Sequence, residues 1–505
     1  AIRDCVSCLV GSEMCIRDSL YTAAQVREMD RIAIEEEGVP GYQLMCRAGD
    51  ALLHSIELHW PGARMVTLLC GPGNNGGDGY VLARLLRQTG REVRAFHLAD
   101  PRQLKGAALQ AVLDYPADSD QPEPWRGTLP ECSDLLIDAM LGTGLDRNVQ
   151  GIYLQAIEAM NHHAAPVLAV DVPSGLHADS GRVLGCAVQA QRTVTFIGRK
   201  RGLYTGEAAR YAGQVDFDDL GVSPGVVEGH SVDACLIARP PLGPLASPRL
   251  PDAHKGAFGH VLVVGGDCGM SGAARLAAEA AARCGAGLVS LATRKDHAAV
   301  VNAGCPELMV HGVGGGADLG ALLGRATVVV VGPGLGRCDW SRDLLERVLD
   351  SRLPMVVDAD ALNLLAVDPL VRGNWILTPH PGEAGRLLGI STSDVQQDRF
   401  AAVSSLAERF AAVAVLKGSG TLVAAEGLPI GVCDRGNPGM ASGGLGAVLS
   451  GVLGALLAQG LTLFDAAAGG VWLHAQAADI AAGRGGERGL LASDLLPVLR
   501  KLVNV

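Results

Sequence analysis

Residues Gly436–Leu449 read Gly-Asn-Pro-Gly-Met-Ala-Ser-Gly-Gly-Leu-Gly-Ala-Val-Leu and join a glycine-rich loop to the start of an apolar helix. Crowded glycines let backbone N–H groups approach an anion closely. The N-terminus of the following helix adds free N–H groups and a favourable dipole. This stretch therefore predicts an anion-binding site in front of a buried helix.

The same region offers a second interpretation, because residues 437–464 contain no charged side chain. Small residues recur at four-residue spacing, at Gly443, Ala447 and Gly451, as in helices that associate within membranes. However, glycine and proline crowd the first third and leave about 17 residues for a helix, at the short limit for crossing a bilayer. We therefore expect a buried helix and no membrane association.

Length and charge limit the class of protein. A chain of 505 residues exceeds one ordinary hydrophobic core, so two or more domains are expected. A net charge of −11 disfavours a general nucleic-acid-binding protein, which usually has a basic face. Lysine is rare, and Lys255 and Lys417 are notable because they lie inside glycine motifs.

The thirteen cysteines are dispersed, and the sole pair at a spacing typical of metal sites, Cys5 and Cys8, has no partner pair, so we expect a reduced, cytoplasmic protein. No signal peptide is evident, because only a brief apolar run precedes charged residues. Residues 1–19 match nothing downstream. We interpret them as an extraneous or disordered leader, and the alternative is a short native tail.

Residues 20–230 predict one α/β unit with a parallel sheet. Strands at 63–70, 135–139 and 167–172 are each followed by a glycine turn. In such sheets the site lies at the carboxyl ends of the strands. A proline-rich linker over residues 231–252 follows the unit.

A second α/β unit is predicted over residues 253–505. Five of its strands deliver a polar or glycine turn, so their ends are expected to converge on one cleft. These strands are predicted at residues 261–264, 328–331, 355–357, 375–377 and 413–416.

Several polar residues at strand ends are candidates for chemistry in the first half. Asn74–Gly79 suits a phosphate or a hard cation, and the alternative is a tight turn between strand and helix. Asp138 and Asp171 each close a strand, where a carboxylate can be a cation ligand, a base or a helix cap. Two such carboxylates beside Asn75 favour a shared site.

In the second half, Lys417–Thr421 offers a cation, hydroxyl groups and bare backbone amides after a buried strand, which suits a nucleotide phosphate. It lacks the spacing of a Walker loop. His380 lies between two prolines and can contact a ligand ring or fill a loop. Glu383 is interpreted as a cap of the helix that follows.

Taken together, the motifs closely resemble the bifunctional NAD(P)H-hydrate repair enzyme family from about residue 20 onward. In the first half, Asn74–Gly79, Asp138 with Gly142–Gly144, and Asp171–Gly175 resemble NAD(P)H-hydrate epimerase. In the second half, the motifs that resemble the ADP-dependent dehydratase are His254–Gly256, Gly332–Gly336, Asp358–Asn363, Thr378–Glu383, Lys417–Thr421 and Asn437–Gly444.

The resemblance implies a Rossmann-like doubly wound parallel-sheet domain followed by a ribokinase-like α/β domain. It implies that the first domain interconverts the R and S forms of NADHX and NADPHX, which are NADH and NADPH hydrated at C6 of the nicotinamide ring. The second domain would dehydrate the S form with ADP and Mg²⁺, leaving AMP and phosphate. A homo-oligomer is also expected.

The resemblance also implies site residues. K⁺ would be bound by Asn75, Asp138 and Ser174. Asp138 and Asp171 would take part in epimerase chemistry. The hydrate in the first domain would contact Asn74, Asn75, Gly76, Gly77, Asp78, Gly142, Thr143, Gly144, Leu145, Asp146, Arg147, Asn148 and Asp171. In the second domain it would contact Ala273, Gly334, His380 and Ala447. The adenine nucleotide would contact Lys417, Gly418, Ser419, Gly420, Thr421 and Gly446.

Ala447 departs from the family pattern, because that position normally carries the aspartate that serves as catalytic base. Loss of a general base typically costs about a hundred- to ten-thousand-fold in rate. The sequence therefore predicts that the second domain binds nucleotide and hydrate but dehydrates slowly.

Two other functions are compatible with parts of the chain. The second half alone permits a ribokinase-like kinase of a vitamin-like alcohol, since fold does not fix function. A non-catalytic nucleotide-binding protein is the other alternative. The fused first half argues against the kinase, and the intact Asp138 and Asp171 argue against the non-catalytic protein.

Overall fold

The computed structural model describes residues 18–115, 121–238 and 248–504. The chain divides into two compact units between Ala234 and Cys235. Residues 1–17 of the predicted leader and residues 239–247 of the predicted linker lie outside the described residues. Ser19, which we assigned to the leader, begins the first described strand and is buried.

The first unit alternates strands and helices. Its strands are β1 (Ser19–Tyr21), β2 (Met65–Cys70), β3 (Glu92–His97), β4 (Glu123–Pro124), β5 (Leu135–Ala139), β6 (Val167–Val170), β7 (Arg192–Phe196), β8 (Arg199–Lys200) and β9 (Gln214–Asp218). Its helices are α1 (Ala23–Arg31), α2 (Gly41–His59), α3 (Asn74–Gln88), α4 (Gly106–Leu113), α5 (Ile152–His162), α6 (Ala208–Tyr211) and α7 (Pro224–Glu228).

Seven of these strands form one sheet in the order β4-β3-β2-β5-β6-β7-β9. Every pair in it is parallel, which confirms the predicted parallel sheet. The order reverses between β2 and β5, and ligands bind at such a switch point in open α/β sheets. The sequence predicts the third strand over residues 167–172, but β6 ends at Val170.

The glycine motif after β2 differs from the sequence interpretation. Asn74–Gly79 forms the first turns of α3 and is not a flexible turn before the helix. A Cβ atom at Gly76 would lie 2.1 Å from the carbonyl oxygen of Gly71, and one at Gly79 would lie 2.7 Å from the Cβ of Ala139. The glycines are therefore required because α3 approaches the strands closely.

The second unit has the same layered arrangement. Its strands are β10 (Ala234–Leu236, at the division between the units), β11 (His260–Val264), β12 (Leu288–Thr293), β13 (Met309–Gly312), β14 (Val328–Val331), β15 (Met355–Val357), β16 (Trp375–Leu377), β17 (Val413–Leu416), β18 (Thr421–Ala424) and β19 (Ile430–Cys433). Its helices are α8 (Ser271–Arg283), α9 (Lys295–Gly304), α10 (Gly320–Leu323), α11 (Asp339–Asp350), α12 (Ala359–Leu365), α13 (Pro381–Leu388), α14 (Thr392–Gln397), α15 (Arg399–Phe410), α16 (Leu445–Ala458), α17 (Leu463–Gly485) and α18 (Ala492–Leu502).

The strands of the second unit follow the order β13-β12-β11-β14-β15-β16-β17-β18-β19. The pairs from β13 to β17 are parallel, and β18 and β19 continue the sheet antiparallel. The strand order reverses between β11 and β14. The five strands with polar turns are therefore neighbours, and their carboxyl ends lie along one edge, as predicted.

Helix α16 is buried, as the sequence predicted, and packs on two other helices. A Cβ atom at Gly451 would lie 2.0 Å from the carbonyl oxygen of Ala277 on α8. One at Gly470 on α17 would lie 2.4 Å from a side-chain carbon of Leu453. Within the described residues, none of the helices combines the length and the apolar character needed to cross a membrane.

His474 on α17 makes the stability of this helix pair sensitive to acid. Its Nε2 atom is buried and has no hydrogen-bond partner among the described residues. Burial, together with the charge of Lys417, lowers the pKa of His474 from 6.5 to about 4. The unfolded chain therefore binds a proton before the folded chain does, so stability falls as the pH drops from about 6.5 to about 4.

We expect His474→Gln to weaken this acid sensitivity. At about 1.4 kcal/mol per pH unit, the folded helix pair of the unchanged protein loses roughly 3 kcal/mol across that range. Hydrogen exchange of the α17 amides at several pH values measures the opening free energy. The exposed His254→Gln serves as the control, and an unchanged pH dependence in His474→Gln would contradict the assignment.

Candidate active sites

The first candidate site is a cavity of about 630 Å³ at the switch point between β2 and β5. Among its lining residues are ten that the sequence analysis assigned to the hydrate: Asn74, Asn75, Asp78, Gly142, Thr143, Gly144, Leu145, Asp146, Arg147 and Asp171. Gly76, Gly77 and Asn148 do not line it. Gly77 instead faces the side chain of Met45, and Asn148 is exposed.

Asp138, near the end of β5, is fully buried and does not line the cavity, although the nearby Met140 and Leu141 do. The Ser174 backbone N–H donates to its Oδ2 at 2.7 Å, and the Ser174 hydroxyl donates to its Oδ1 at 2.5 Å. Burial raises the pKa of Asp138 to about 6, although these hydrogen bonds and one from the Met140 N–H oppose the rise. Asp138 thus anchors the loop after β6 to the end of β5.

Oxygen atoms suited to a monovalent cation gather around this anchor. The Ser174 hydroxyl lies 3.3 Å from the carbonyl oxygen of Leu141, and the Asn75 side chain faces Gly142 in the same loop. Asn75 is buried, and its side-chain oxygen would lie 3.5 Å from a Cβ atom at Gly142. Hydroxyl, carbonyl and amide oxygens are the ligands that hard cations prefer, so these groups fit a hard cation bound here.

Asp171 follows β6 directly, and the hydrogen bonds to its side chain all reach one carboxylate oxygen, Oδ1. Its backbone has φ of 65°, a left-handed conformation that residues other than glycine rarely adopt. The Thr195 hydroxyl donates to its Oδ1 at 3.0 Å, and the buried ammonium of Lys200 donates to the same oxygen. Lys200 also donates to the Phe196 carbonyl at 2.9 Å. These donors fix the position of the Asp171 carboxylate.

Two further carboxyl groups face the cavity, Asp30 from α1 and Asp78 from α3. Burial raises the pKa of Asp30 to about 6. Burial and the charges of Asp171 and Asp30 raise the pKa of Asp78 well above its usual value. Sequence reasoning missed Asp30 and Lys200. The scarcity of lysine in the chain was the one signal for Lys200, and nothing in its spacing marks Asp30.

The second candidate site centres on an ion pair between Lys417, which follows β17, and Asp358, which follows β15. The Lys417 Nζ donates to Asp358 Oδ1 at 2.7 Å. The hydroxyl groups of Thr378 and Ser450 each donate to Asp358 at 2.9 Å. Burial alone would raise the pKa of Asp358, but the ammonium and these hydrogen bonds lower it below its usual value. Sequence reasoning quoted Asp358 as a motif residue without giving it a role.

The predicted nucleotide residues lie around this ion pair. A Cβ atom at Gly446, in the first turn of α16, would lie 3.4 Å from the Lys417 Nζ. Gly418 has φ of 128°, which favours glycine, and the Thr421 hydroxyl donates to its carbonyl at 2.9 Å. Ser419 is exposed. The ammonium, the glycine loop and the start of α16 are therefore brought together, as predicted.

The predicted hydrate contacts of this unit fall into two groups. Ala273 and Gly334 meet at the strand switch point, where a Cβ atom at Gly334 would lie 3.3 Å from that of Ala273. His380 caps α13, and its backbone N–H donates to Glu383 at 2.9 Å, which confirms the capping role predicted for Glu383. Glu383 also lies 3.9 Å from the Lys417 Nζ.

Ala447 is the third residue of α16 and follows Gly446 directly. Its side chain is 7% exposed and packs into the core of the unit. A methyl group cannot accept a proton or bind a cation. The first turn of α16 contains no acidic residue. Asp358, which contacts Ser450 of the same helix, is already paired with Lys417.

Comparisons with known proteins agree with both halves. The family model described as NAD(P)H-hydrate dehydratase matches residues 261–501, and the one described as YjeF-related protein N-terminus matches residues 41–202. The bifunctional NAD(P)H-hydrate repair enzyme Nnr of Coxiella burnetii is 52% identical over 485 residues, 96% of this chain and 99% of that protein. The protein of that name from Escherichia coli is 43% identical over 489 residues, covering 97% and 95%.

Among solved structures, the ADP/ATP-dependent NAD(P)H-hydrate dehydratase from Bacillus subtilis is 26% identical. The match covers 54% of this chain and 98% of that one, with a TM-score of 0.49.

Fold and sites define a two-unit α/β enzyme, with a Rossmann-like unit that carries a polar cavity and a ribokinase-like unit that carries a lysine–carboxylate site beside a glycine loop. The chain belongs to the family of bifunctional NAD(P)H-hydrate repair enzymes, which join an epimerase to a dehydratase. The match over nearly the whole chain argues against the vitamin kinase and the non-catalytic protein considered from the sequence.

The ion pair of the second site is expected to be necessary for stability. Lys417→Met leaves Asp358 buried without its cation, and breaking a buried pair from one side typically costs about 3–5 kcal/mol. Urea unfolding of the full chain measures the loss, with the exposed Lys255→Met as control. Adding Asp358→Asn to Lys417→Met should recover part of the loss. Equal stability of Lys417→Met and the unchanged protein would contradict the expectation.

Proposed function

We propose that the first unit interconverts the R and S forms of NADHX and NADPHX in the cavity at the β2–β5 switch point. The cavity volume of about 630 Å³ lies within the range typical of small-molecule sites. Apolar walls from Leu44, Met45 and Ile197 suit a nicotinamide ring, and the polar residues after β2, β5 and β6 suit its hydroxyl and phosphate groups. The match with full-length repair enzymes supports this assignment.

For the second unit, we propose that ADP phosphorylates the C6 hydroxyl of the S form. This transfer leaves AMP. Phosphate then departs with the electron pair of the C6–O bond while C5 loses a proton to solvent, which restores the C5=C6 double bond of the dihydronicotinamide ring. The observation that carries this proposal is the placement of the Lys417 ammonium against Gly446 at the start of α16. A cation, glycine amides and a helix N-terminus neutralise the charge of a phosphoryl group during transfer.

Residue roles follow from that placement. Lys417–Thr421 and Gly446 would hold the nucleotide phosphates, and Ala273, Gly334 and His380 would contact the hydrate. Mg²⁺ would enter with the nucleotide, because this ion usually keeps several waters and binds through substrate phosphates. The dispersed cysteines favour a reducing compartment, so we place this repair reaction in the cytoplasm.

The dehydration step is proposed to be slow, because Ala447 cannot accept the proton that the attacking hydroxyl loses. The rest of the site retains its contacts, so binding should survive while general-base catalysis fails. The family resemblance leads us to expect an aspartate at this position. It would stand in the first turn of α16, where a negative charge is favoured by the helix dipole.

We expect Ala447→Asp to raise the rate of dehydration by about a hundred- to ten-thousand-fold. The assay supplies an R/S mixture of NADH hydrate with ADP and Mg²⁺ and follows the return of NADH absorbance. Ala441→Asp, at an exposed position of the same loop, is the matched control. Equal rates for Ala447→Asp and the unchanged protein would show that Ala447 does not slow the dehydration. Failure of both to form NADH would contradict the dehydratase assignment.

A K⁺ site at Asn75, Asp138 and Ser174 predicts ion-specific stabilisation of the first unit. We expect K⁺ to raise the melting temperature above that measured in tetramethylammonium at equal ionic strength, because a bound ion stabilises only the folded state. Asp138→Asn should abolish the difference, and the exposed Asp50→Asn should keep it. If the two salts give the same melting temperature for the unchanged protein, the K⁺ assignment is wrong.

A further inference from the structure

The cavity of the first unit brings together three charged residues, and the family resemblance assigns neither a role to Lys200 nor separate acid and base roles to the carboxyl groups. Asp78, Asp171 and Lys200 all line it, although they come from α3, the end of β6 and β8. This inference rests on the proposed epimerase function of the unit. It concerns which side chains move the protons of that reaction.

Asp171 has one oxygen occupied and one available. The donors from Thr195, Lys200 and the Phe196 backbone N–H all reach Oδ1. Its Oδ2 has no hydrogen-bond partner among the residues that the structure describes. The Lys200 side chain is only 2% exposed, and its ammonium lies against this carboxylate. Asp171 is therefore held through Oδ1 and keeps Oδ2 available to a ligand in the cavity.

Asp78 is in the opposite situation. Within residues 18–115, 121–238 and 248–504, its carboxyl group has no hydrogen bond and no ion pair. Burial and the negative charges of Asp171 and Asp30 disfavour its ionised form, which is why its pKa is raised. A protonated carboxyl group can donate to a ligand hydroxyl. The two carboxyl groups thus differ in their surroundings, because Asp171 is held by a buried ammonium and Asp78 is not. Carboxyl groups in contrasting environments within one site are typical of acid–base pairs.

We propose that Asp78 and Asp171 are the acid–base pair of hydrate epimerisation and that Lys200 is the positioning residue that holds Asp171. The hydroxyl group and the ring nitrogen N1 share carbon C6 in the hydrate. Both ionisable groups line the cavity that would hold this carbon.

The step balances without an oxidant or a reductant. Asp78 gives its proton to the C6 hydroxyl, and the C6–O bond breaks with its electron pair leaving on water. The lone pair of N1 forms a C6=N1 double bond, and the Asp171 carboxylate stabilises the positive ring. Water then adds to the opposite face of C6 and gives its proton to Asp171. Exchange of protons with solvent restores both carboxyl groups.

The test uses the full chain without ADP, so that the second unit consumes nothing. The S form of NADH hydrate is incubated with each variant, and the R and S forms are separated by chromatography. We expect Asp78→Asn to lower kcat about a hundred- to ten-thousand-fold with KM changed only a few-fold. Lys200→Met should lower kcat at least tenfold, and Lys200→Arg should restore part of the loss. Asp50→Asn and Lys105→Met, at exposed positions, are the matched controls.

A second measurement separates chemistry from folding. In water enriched in ¹⁸O, the unchanged protein should incorporate solvent oxygen at C6 at the rate of interconversion, because the C6–O bond breaks. Asp78→Asn should lose both rates together while its hydrogen exchange stays native. Interconversion without oxygen incorporation, or a normal kcat in Asp78→Asn, would overturn the proposal. An unchanged protein that does not interconvert the two forms would instead overturn the epimerase function itself.

Discussion

Both sites of this protein depend on an ion pair between a lysine and an aspartate that directly follows a strand, and one partner of each pair is buried, Lys200 in the first and Asp358 in the second. Asp171 follows β6 and pairs with Lys200, and Asp358 follows β15 and pairs with Lys417. A buried charge is costly unless it is paired and hydrogen-bonded, so each lysine requires its aspartate and each aspartate requires further donors. Thr195 supplies one for Asp171. The pairs therefore hold charged groups rigidly where parallel strands end.

The close packing of helices onto the sheets makes these positions possible. Gly76 and Gly79 bring α3 against the strands of the first unit, and Gly451 brings α16 against α8 in the second. A side chain at any of these positions would push the helix away. The first turns of α3 and α16 would then no longer stand beside the strand ends. The glycines that look like flexible loops in the sequence thus act mainly as sites of close contact.

The two units differ in what surrounds the ion pair. In the first, Asp78 and Asp30 add carboxyl groups to the cavity beside Asp171. In the second, Ala447 replaces the carboxylate that the family resemblance leads us to expect. Asp358 and Lys417 satisfy each other without it, and an alanine in a helix costs little, so the fold does not depend on the missing group. The contacts that build the second site therefore do not require a carboxylate at position 447.

The sequence by itself determined the alternation of strands and helices, the parallel sheets and the residues at the strand ends, because buried strands and glycine turns are local patterns. The ordered motifs also sufficed to identify the family. Only the tertiary structure decided that Asn74–Gly79 is helical, that Asp138 is a buried anchor that does not line the cavity, and that Asp30 and Lys200 face Asp171. These facts depend on contacts between residues far apart in the chain. Local spacing carries no information about such contacts.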